Sequence, residues 1–111
     1  MIIHICSTTT WKAVKEQGYY EADSLKSQGF IHCSKPEQVV KVADFNFKGT
    51  KDLILLLIDE EKVKPEIKYE DGGSGELYPH IYGPLNIDAV IGTVDFPTEA
   101  DGNFKLPKLP E

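Results

Sequence analysis

The feature that most constrains this chain is an unbroken apolar run, Leu53–Ile58, with charged residues on both sides. The run is far too short to cross a membrane as a helix, which takes about 20 apolar residues. An apolar residue at every position is typical of a central strand that is buried on both faces, and a buried helix is the alternative. We therefore expect a sheet whose middle strand lies inside the core.

Other short runs predict the remaining strands. They are residues 2–6, 19–22, 30–33 and 88–96, which are rich in β-branched, aromatic or apolar residues. Residues 67–70 alternate in polarity, as an edge strand does. Residues 76–85 combine aromatic residues, a histidine and two prolines, and proline is rare in central strands. This last segment is predicted to line an edge or a cleft.

Three helices are predicted between the strands. They are expected at residues 11–17, at residues 23–28, and from the capping box of residues 34–37 onward. Gly18 and Gly29 follow the first two, where a glycine in the left-handed conformation often ends a helix. The third is expected to fade over residues 44–48. Its apolar face is formed by Val39, Val40, Val42 and Ala43.

Strands and helices that alternate along the chain indicate an α/β domain. Residues 1–96 are predicted to form one globular domain, since no change in composition divides them. Residues 97–111 contain three prolines and little periodic pattern, so they are predicted to be an extended tail.

The charge balance excludes some partners. The chain has 12 basic and 18 acidic residues and a net charge of −6, and none of the basic residues is an arginine. Such a chain repels nucleic acid at long range, and lysines, backbone N–H groups and helix N-termini are left to bind an anion. The first residues show no basic leader and no long apolar stretch, so we expect a cytoplasmic protein without a membrane partner.

The three histidines, His4, His32 and His80, each stand in or beside a predicted strand, next to aromatic or turn residues. One interpretation is that each is a hydrogen-bonded core residue. The other is that they line one polar pocket, where imidazoles recognise ligand hydroxyls or transfer protons near their ordinary pKa of about 6.5. We expect the shared pocket, with a small molecule as its ligand. The predicted ligand-binding residues are His4, His32, Ser34, Tyr78 and Tyr82.

Other chemistries have weaker support in the spacing. His4 and Cys6 would point the same way on one strand, but no close cysteine pair, second histidine at helical spacing or acidic cluster accompanies them, so no metal is expected. Cys33 and His32 are adjacent on a strand and point to opposite faces, which prevents local activation of the thiol. Both cysteines are expected to be reduced, and a bridge requires their strands to be neighbours.

A glycine-rich stretch, residues 72–75, is the most flexible part of the sequence. It lacks the fixed spacing and the lysine of a phosphate-binding loop. We predict a hinge or a lid.

Two histidine-containing segments carry a family resemblance. Residues 29–34 read GFIHCS and residues 78–85 read YPHIYGPL, and together with the opening around His4 they resemble a bacterial and plant family defined as a domain of unknown function. The resemblance spans residues 1–96. Members of that family have been grouped by shape with ADP-ribosyltransferases.

The resemblance implies an α+β form of the α/β domain, like that of the ADP-ribosyltransferases, with two packed, mostly antiparallel sheets that are split by a cleft and short helices around them. It also implies NAD as the candidate cofactor or substrate. In transferases of that fold a residue on the first strand holds a ribose, a residue on the second core strand lines the nicotinamide site, and a glutamate supports the transition state. By motif, His4 and Ser34 beside His32 correspond to the first two, and Glu70 or Glu76 to the third.

Three functions follow as competing hypotheses. The first is an enzyme that acts on NAD, an ADP-ribosyl group or a related ribose phosphate, with His80 as acid or base. The second is a ligand-binding or sensor domain that keeps the cleft but lacks the catalytic acid. The third is a partner-binding domain in which Tyr78, Tyr82 and Phe104 form an exposed patch and the tail docks on another chain.

Overall fold

The strands form two three-stranded antiparallel sheets and a two-stranded ribbon in a computed structural model that describes residues 1–109. The strands are β1 (Ile2–Ser7), β2 (Tyr19–Tyr20), β3 (Ile31–His32), β4 (Leu53–Ile58), β5 (Glu66–Asp71), β6 (Leu77–Tyr82), β7 (Leu85–Asn86) and β8 (Val90–Asp95). The helices are α1 (Thr8–Val14), α2 (Asp23–Gln28) and α3 (Val39–Asn46), with short 3-10 helices at Glu60–Lys62 and Ile87–Ala89. The sheets have the orders β1-β4-β8 and β3-β6-β5, and the ribbon is β2-β7. The fold is mixed α/β with antiparallel sheets, as predicted.

The apolar run is the central strand of the first sheet. β4 pairs with β1 on one side and β8 on the other, and all six of its residues are buried. Alternate residues of β4 pack into two different apolar clusters. Ile54, Leu56 and Ile58 join one apolar cluster, and Leu53, Leu55 and Leu57 join the other, which α3 covers. The prediction of a strand buried on both faces is confirmed, and the helix alternative is wrong.

The first two helices follow the sequence signals to different degrees. α2 has the predicted bounds, and Gly29 ends it in the left-handed conformation. α1 begins at Thr8, earlier than predicted, because Ser7 itself is the cap and its hydroxyl accepts a hydrogen bond from the Thr10 N–H. It also ends at Val14, so Gly18 lies beyond the helix, although its φ of +90° is left-handed.

The predicted capping box is wrong. Ser34 forms a backbone bridge with Ile3 of β1, in which each N–H donates to the other's carbonyl. Its backbone is therefore committed to a strand contact. α3 begins only at Val39, after a turn in which the Gln38 side chain accepts a hydrogen bond from the Lys35 N–H at 2.9 Å.

β6 is not at an edge, which was one of the two predicted positions: it is the central strand of its sheet in spite of Pro79. The carbonyl of Pro79 accepts a hydrogen bond from the Cys33 N–H, so it points towards the β3 side. A residue's N–H and C=O share one direction in a strand, and the N–H that proline lacks would therefore face the same side. That side faces Cys33, one residue beyond the end of β3 at His32. The missing N–H therefore removes no hydrogen bond from the ladder between β6 and β5.

The segment after Pro97 differs from the predicted extended tail. Thr98 pairs with Phe104, and the Asp44 side chain of α3 accepts a hydrogen bond from the Phe104 N–H at 2.7 Å. The Phe104 ring is 5% exposed and stacks on Phe96 with centroids 4.6 Å apart. The exposed patch of Tyr78, Tyr82 and Phe104 is therefore wrong. Pro110 and Glu111, the end of the predicted tail, lie outside the described residues.

None of the helices in residues 1–109 has the length and apolar character that crossing a bilayer requires.

Candidate functional site

A cleft of about 780 Å³ lies along the open face of the β3-β6-β5 sheet, within the size range of small-molecule sites. Residues from β1, the β3–α3 connection, α3 and the β5–β6 loop complete its lining. The opposite face of the sheet presents Ile31 and Ile81 to the core. Strand alternation therefore turns the polar residues of the three strands towards the cleft.

The cleft opens where two sheets come together and then part. Ile3 and Ser34 form the only bridge between β1 and the β3 segment in the described residues. If that ladder continued, Ile5 would pair with His32. Instead the Nδ1–H of His4 donates a hydrogen bond to the His32 carbonyl at 2.5 Å. The His4 side chain thus supplies the contact that the parted backbones no longer make.

His4 is held on both ring nitrogens. Because Nδ1 donates to a carbonyl, Nε2 is the acceptor and receives the Tyr20 hydroxyl hydrogen at 2.9 Å. Burial lowers the pKa of His4 to about 4, so the ring is neutral at pH 7. His4 belongs to the cleft lining, but both of its nitrogens already serve protein groups.

His80 is the histidine of the cleft whose ring is held by a carboxylate. Its Nδ1 donates a hydrogen bond to Oε1 of Glu70 at 2.9 Å, and the Tyr82 hydroxyl donates to the same oxygen. These two bonds lower the pKa of Glu70, first through Tyr82 and then through His80, so the carboxylate stays charged. His80 is only 7% exposed, yet Nε2 has no hydrogen-bond partner among the described residues and is not sealed from solvent. That nitrogen is free for a ligand.

His32 lies opposite His80. The two residues are paired across β3 and β6, and their rings meet edge to face with centroids 5.4 Å apart. Nε2 of His32 donates to Oε1 of Gln28 at 2.6 Å, which leaves Nδ1 as an acceptor. Desolvation, and then the neighbouring His80, lower the pKa of His32. Both imidazoles therefore offer the cleft a lone pair in their neutral forms.

Phe30 supports this histidine pair. Its ring stacks on His80 with centroids 4.1 Å apart and an interplanar angle of 15°, and its edge contacts His32 at 4.8 Å. It also contacts Tyr82 at 5.3 Å. An aromatic face on one side fixes the plane of the His80 ring.

Glu76, the second glutamate predicted at the site, is bonded to Gln38 and Lys41. One carboxylate oxygen accepts a hydrogen bond from the Gln38 amide at 2.8 Å and the other pairs with the Lys41 ammonium. Both contacts lower the pKa of Glu76, Lys41 being the larger cause. Glu76 thus connects α3 to the start of β6 across one end of the cleft.

The glycine-rich loop that was predicted to be a hinge or lid joins β5 to β6 beside the cleft. Oδ1 of Asp71 accepts hydrogen bonds from the N–H groups of Gly73 and Gly75 at 2.7 and 2.9 Å. These bonds lower the pKa of Asp71. Asp71 therefore shapes the loop, and movement of the loop stays a prediction.

Cys6 and Cys33 are free and buried, and their reduced state stays a prediction. Burial raises the pKa of both, so neither has the character of a nucleophile. Within residues 1–109, no three histidine, cysteine or acidic side chains come together in a group able to hold a metal ion.

All eight residues predicted for the site line the cleft. They are His4, His32, Ser34, Glu70, Glu76, Tyr78, His80 and Tyr82. The sequence reasoning missed Phe30, Gln28 and Lys41. Phe30 had a local signal, because it lies two residues before His32 and so shares its face of the strand. Gln28 and Lys41 come from helices whose position against the cleft depends on the tertiary fold.

Known proteins match the chain in sequence and in fold. The sequence pattern of a family described as Protein of unknown function (DUF952) matches residues 5–93. The crystal structure of protein CC0527 from Caulobacter crescentus is 35% identical, with a TM-score of 0.86 over 95% of this chain and 93% of that chain. The solution NMR structure of CC0527 gives a TM-score of 0.80 over 92% and 89% of the two chains. A search of curated proteins found no match.

Proposed function

This chain belongs to the DUF952 family of proteins of unknown function, and we propose that it is an enzyme that binds NAD or a related ribosyl compound in the cleft, with His80 as the acid–base group. The observation that carries the proposal is the hydrogen-bonded set of His80, Glu70 and Tyr82. It leaves Nε2 of His80 without a partner among the described residues, on a side chain that lines a ligand-sized cleft.

The geometry suits proton transfer at Nε2. A carboxylate on Nδ1 fixes the tautomer in which Nε2 carries a lone pair, and it stabilises the imidazolium that forms when Nε2 takes a proton. Glu70 fills that role and so acts through His80 as a positioning residue. Of the two glutamates predicted to be catalytic, Glu70 is favoured, because both oxygens of Glu76 are engaged by Gln38 and Lys41.

The remaining residues would bind the ligand. Nδ1 of His32 can accept a hydroxyl hydrogen close to His80, and Ser34 and Tyr78 lie on the same cleft wall. His4 was expected to hold a ribose directly. Since both of its nitrogens are engaged, we assign it the placement of His32 through the His32 carbonyl. The histidine motifs, which resemble a family grouped with ADP-ribosyltransferases, support a ribosyl compound as the ligand.

One observation favours the alternative, a ligand-binding or sensor domain without catalysis. Oε1 of Glu70 accepts hydrogen bonds from both His80 and Tyr82, so one of the two carboxylate oxygens is already engaged and less available to an oxocarbenium-like centre. Under that alternative the cleft binds the ribosyl compound unchanged.

Calorimetric titration of the purified protein with NAD and with ADP-ribose tests binding, and chromatography of the same mixtures tests turnover. We expect heat of binding from the wild type and a loss of at least tenfold in affinity or turnover for His80→Ala. Tyr69→Phe is the matched control, because Tyr69 lies on the opposite face of β5 from Glu70 and its hydroxyl bonds Glu60 outside the cleft.

Binding without product, equal in wild type and in Glu70→Gln, would favour the sensor. No heat from a folded wild-type protein with either compound would refute the proposal.

A further inference from the structure

The cleft has a second half that the proposed chemistry does not use. Val42, Phe45 and Phe47, from α3 and its C-terminal end, line it together with Ile5 of β1. The polar half holds His32, His80, Glu70 and Tyr82 on the opposite sheet. The Lys41–Glu76 pair connects α3 to the residue before β6, so the two walls approach each other at one end of the cleft.

Phe45 is the unusual member of the apolar half. Its side chain is 88% exposed, the largest exposure of any large apolar residue in the described chain. The neighbouring helix positions Val39 and Ala43 are fully buried in the core, so α3 is anchored by its other face. A phenylalanine left in water forgoes the free energy of burial, which a ligand ring placed against it would recover.

We propose that this apolar half, centred on Phe45, is a subsite for a planar aromatic group of the same small ligand whose hydroxyl-bearing part reaches His32 and His80. The ligand class is then a compound that joins an aromatic ring to a hydroxylated group. We assign the aromatic ring that occupies this subsite to a small molecule and not to a protein side chain. The reason is that the apolar residues continue into a concave cleft with a free His80 nitrogen. The hydroxylated half of the ligand rests on the proposed function, and the ring subsite stands on its own residues.

NMR with isotope-labelled protein separates the two halves. Nicotinamide and adenine carry a ring without a ribose, and ribose 5-phosphate carries a sugar without a ring. We expect the two ring compounds to shift the amide signals of Val42 and Phe47 in a saturable way, and ribose 5-phosphate to shift those of His32 and His80 alone.

Phe45→Ala should then weaken binding of the ring compounds by about tenfold, the cost of losing one aromatic contact surface. Phe45→Leu should keep part of the affinity. Ile91→Ala is the matched control, because Ile91 is also exposed, at 53%, and lies on β8 away from the cleft.

The outcomes separate this inference from the proposed function. Ring compounds that shift α3 signals support the subsite, even if ribose 5-phosphate and NAD leave His80 unmoved and so refute the enzyme proposal. Ring compounds that leave the α3 signals unchanged, or that bind Phe45→Ala as tightly as the wild type, overturn the subsite, even if NAD moves the His80 signals.

Discussion

At the scale of single residues, the three histidines share a cleft but differ in what their nitrogens are free to do. His4 is buried and uses both nitrogens within the protein, His32 keeps Nδ1 free, and His80 keeps Nε2 free. His4 thus links two strands, whereas His32 and His80 are each able to bind a ligand. Their different surroundings make the roles separable by experiment.

His4 should make stability depend on pH. Its folded pKa of about 4 lies below the ordinary 6.5, so the unfolded chain binds the proton more readily. The stabilising contribution is complete above pH 6.5 and falls as the pH drops towards 4, by about 3 kcal/mol in total. Urea unfolding between about pH 7 and about pH 4 should show this slope in the wild type and a shallower one in His4→Gln.

His32→Gln is the control for that experiment, since His32 is exposed and its replacement leaves the buried His4 in place. Equal slopes for wild type and His4→Gln would show that His4 is not held in its neutral form.

The pairing of Tyr82 with Glu70 predicts a second titration. Tyr82→Phe removes the hydrogen bond that contributes most to the low pKa of Glu70, so that pKa should rise towards its ordinary value. Carboxyl-carbon NMR of labelled protein measures it directly. Tyr78→Phe, on the same face of β6 but without a bond to Glu70 among the described contacts, should leave it unchanged. A Glu70 pKa that is the same in both variants would contradict the arrangement.

At the scale of elements, a local sequence pattern best predicts a helix or strand where the residues of that element alone determine its structure. The apolar run of β4 and the glycine that ends α2 needed only their own residues. Ser34 and Pro79 depart from their local patterns because strand contacts with Ile3 and Cys33, far away in sequence, decide their conformations. The burial of Phe104 likewise depends on the tertiary position of Phe96 and Asp44.

Phe104 should therefore be part of the stabilising core, in spite of its place near the end of the chain. Phe104→Ala removes a buried ring that stacks on Phe96, and we expect it to lower the free energy of unfolding by about 3 kcal/mol. Leu106→Ala, at a side chain that is 47% exposed, should change it by less than about 0.5 kcal/mol. Denaturant unfolding compares them, and equal effects would mean that the turn does not pack as described.

At the scale of the whole molecule, the site exists because two sheets meet at one bridge and then part. The Ile3–Ser34 contact and the His4–His32 bond join the sheets at the base of the cleft, and the β5–β6 hairpin sets Glu70 beside His80. All of these residues except Ile3 are candidates from the sequence alone. The sequence alone does not predict the pairing of Glu70 with His80, which depends on the register of β5 and β6. It also does not predict the engagement of Glu76 by Lys41, which depends on the approach of α3.

The most direct test of the central claim is an NMR titration of histidine-labelled protein with NAD, followed at the side-chain signals of His80 and His32. We expect saturable shifts of both rings, with the His4 ring signals little changed because both of its nitrogens are engaged. Histidine signals that stay constant in a folded protein up to millimolar NAD would contradict the claim that this cleft binds a ribosyl compound.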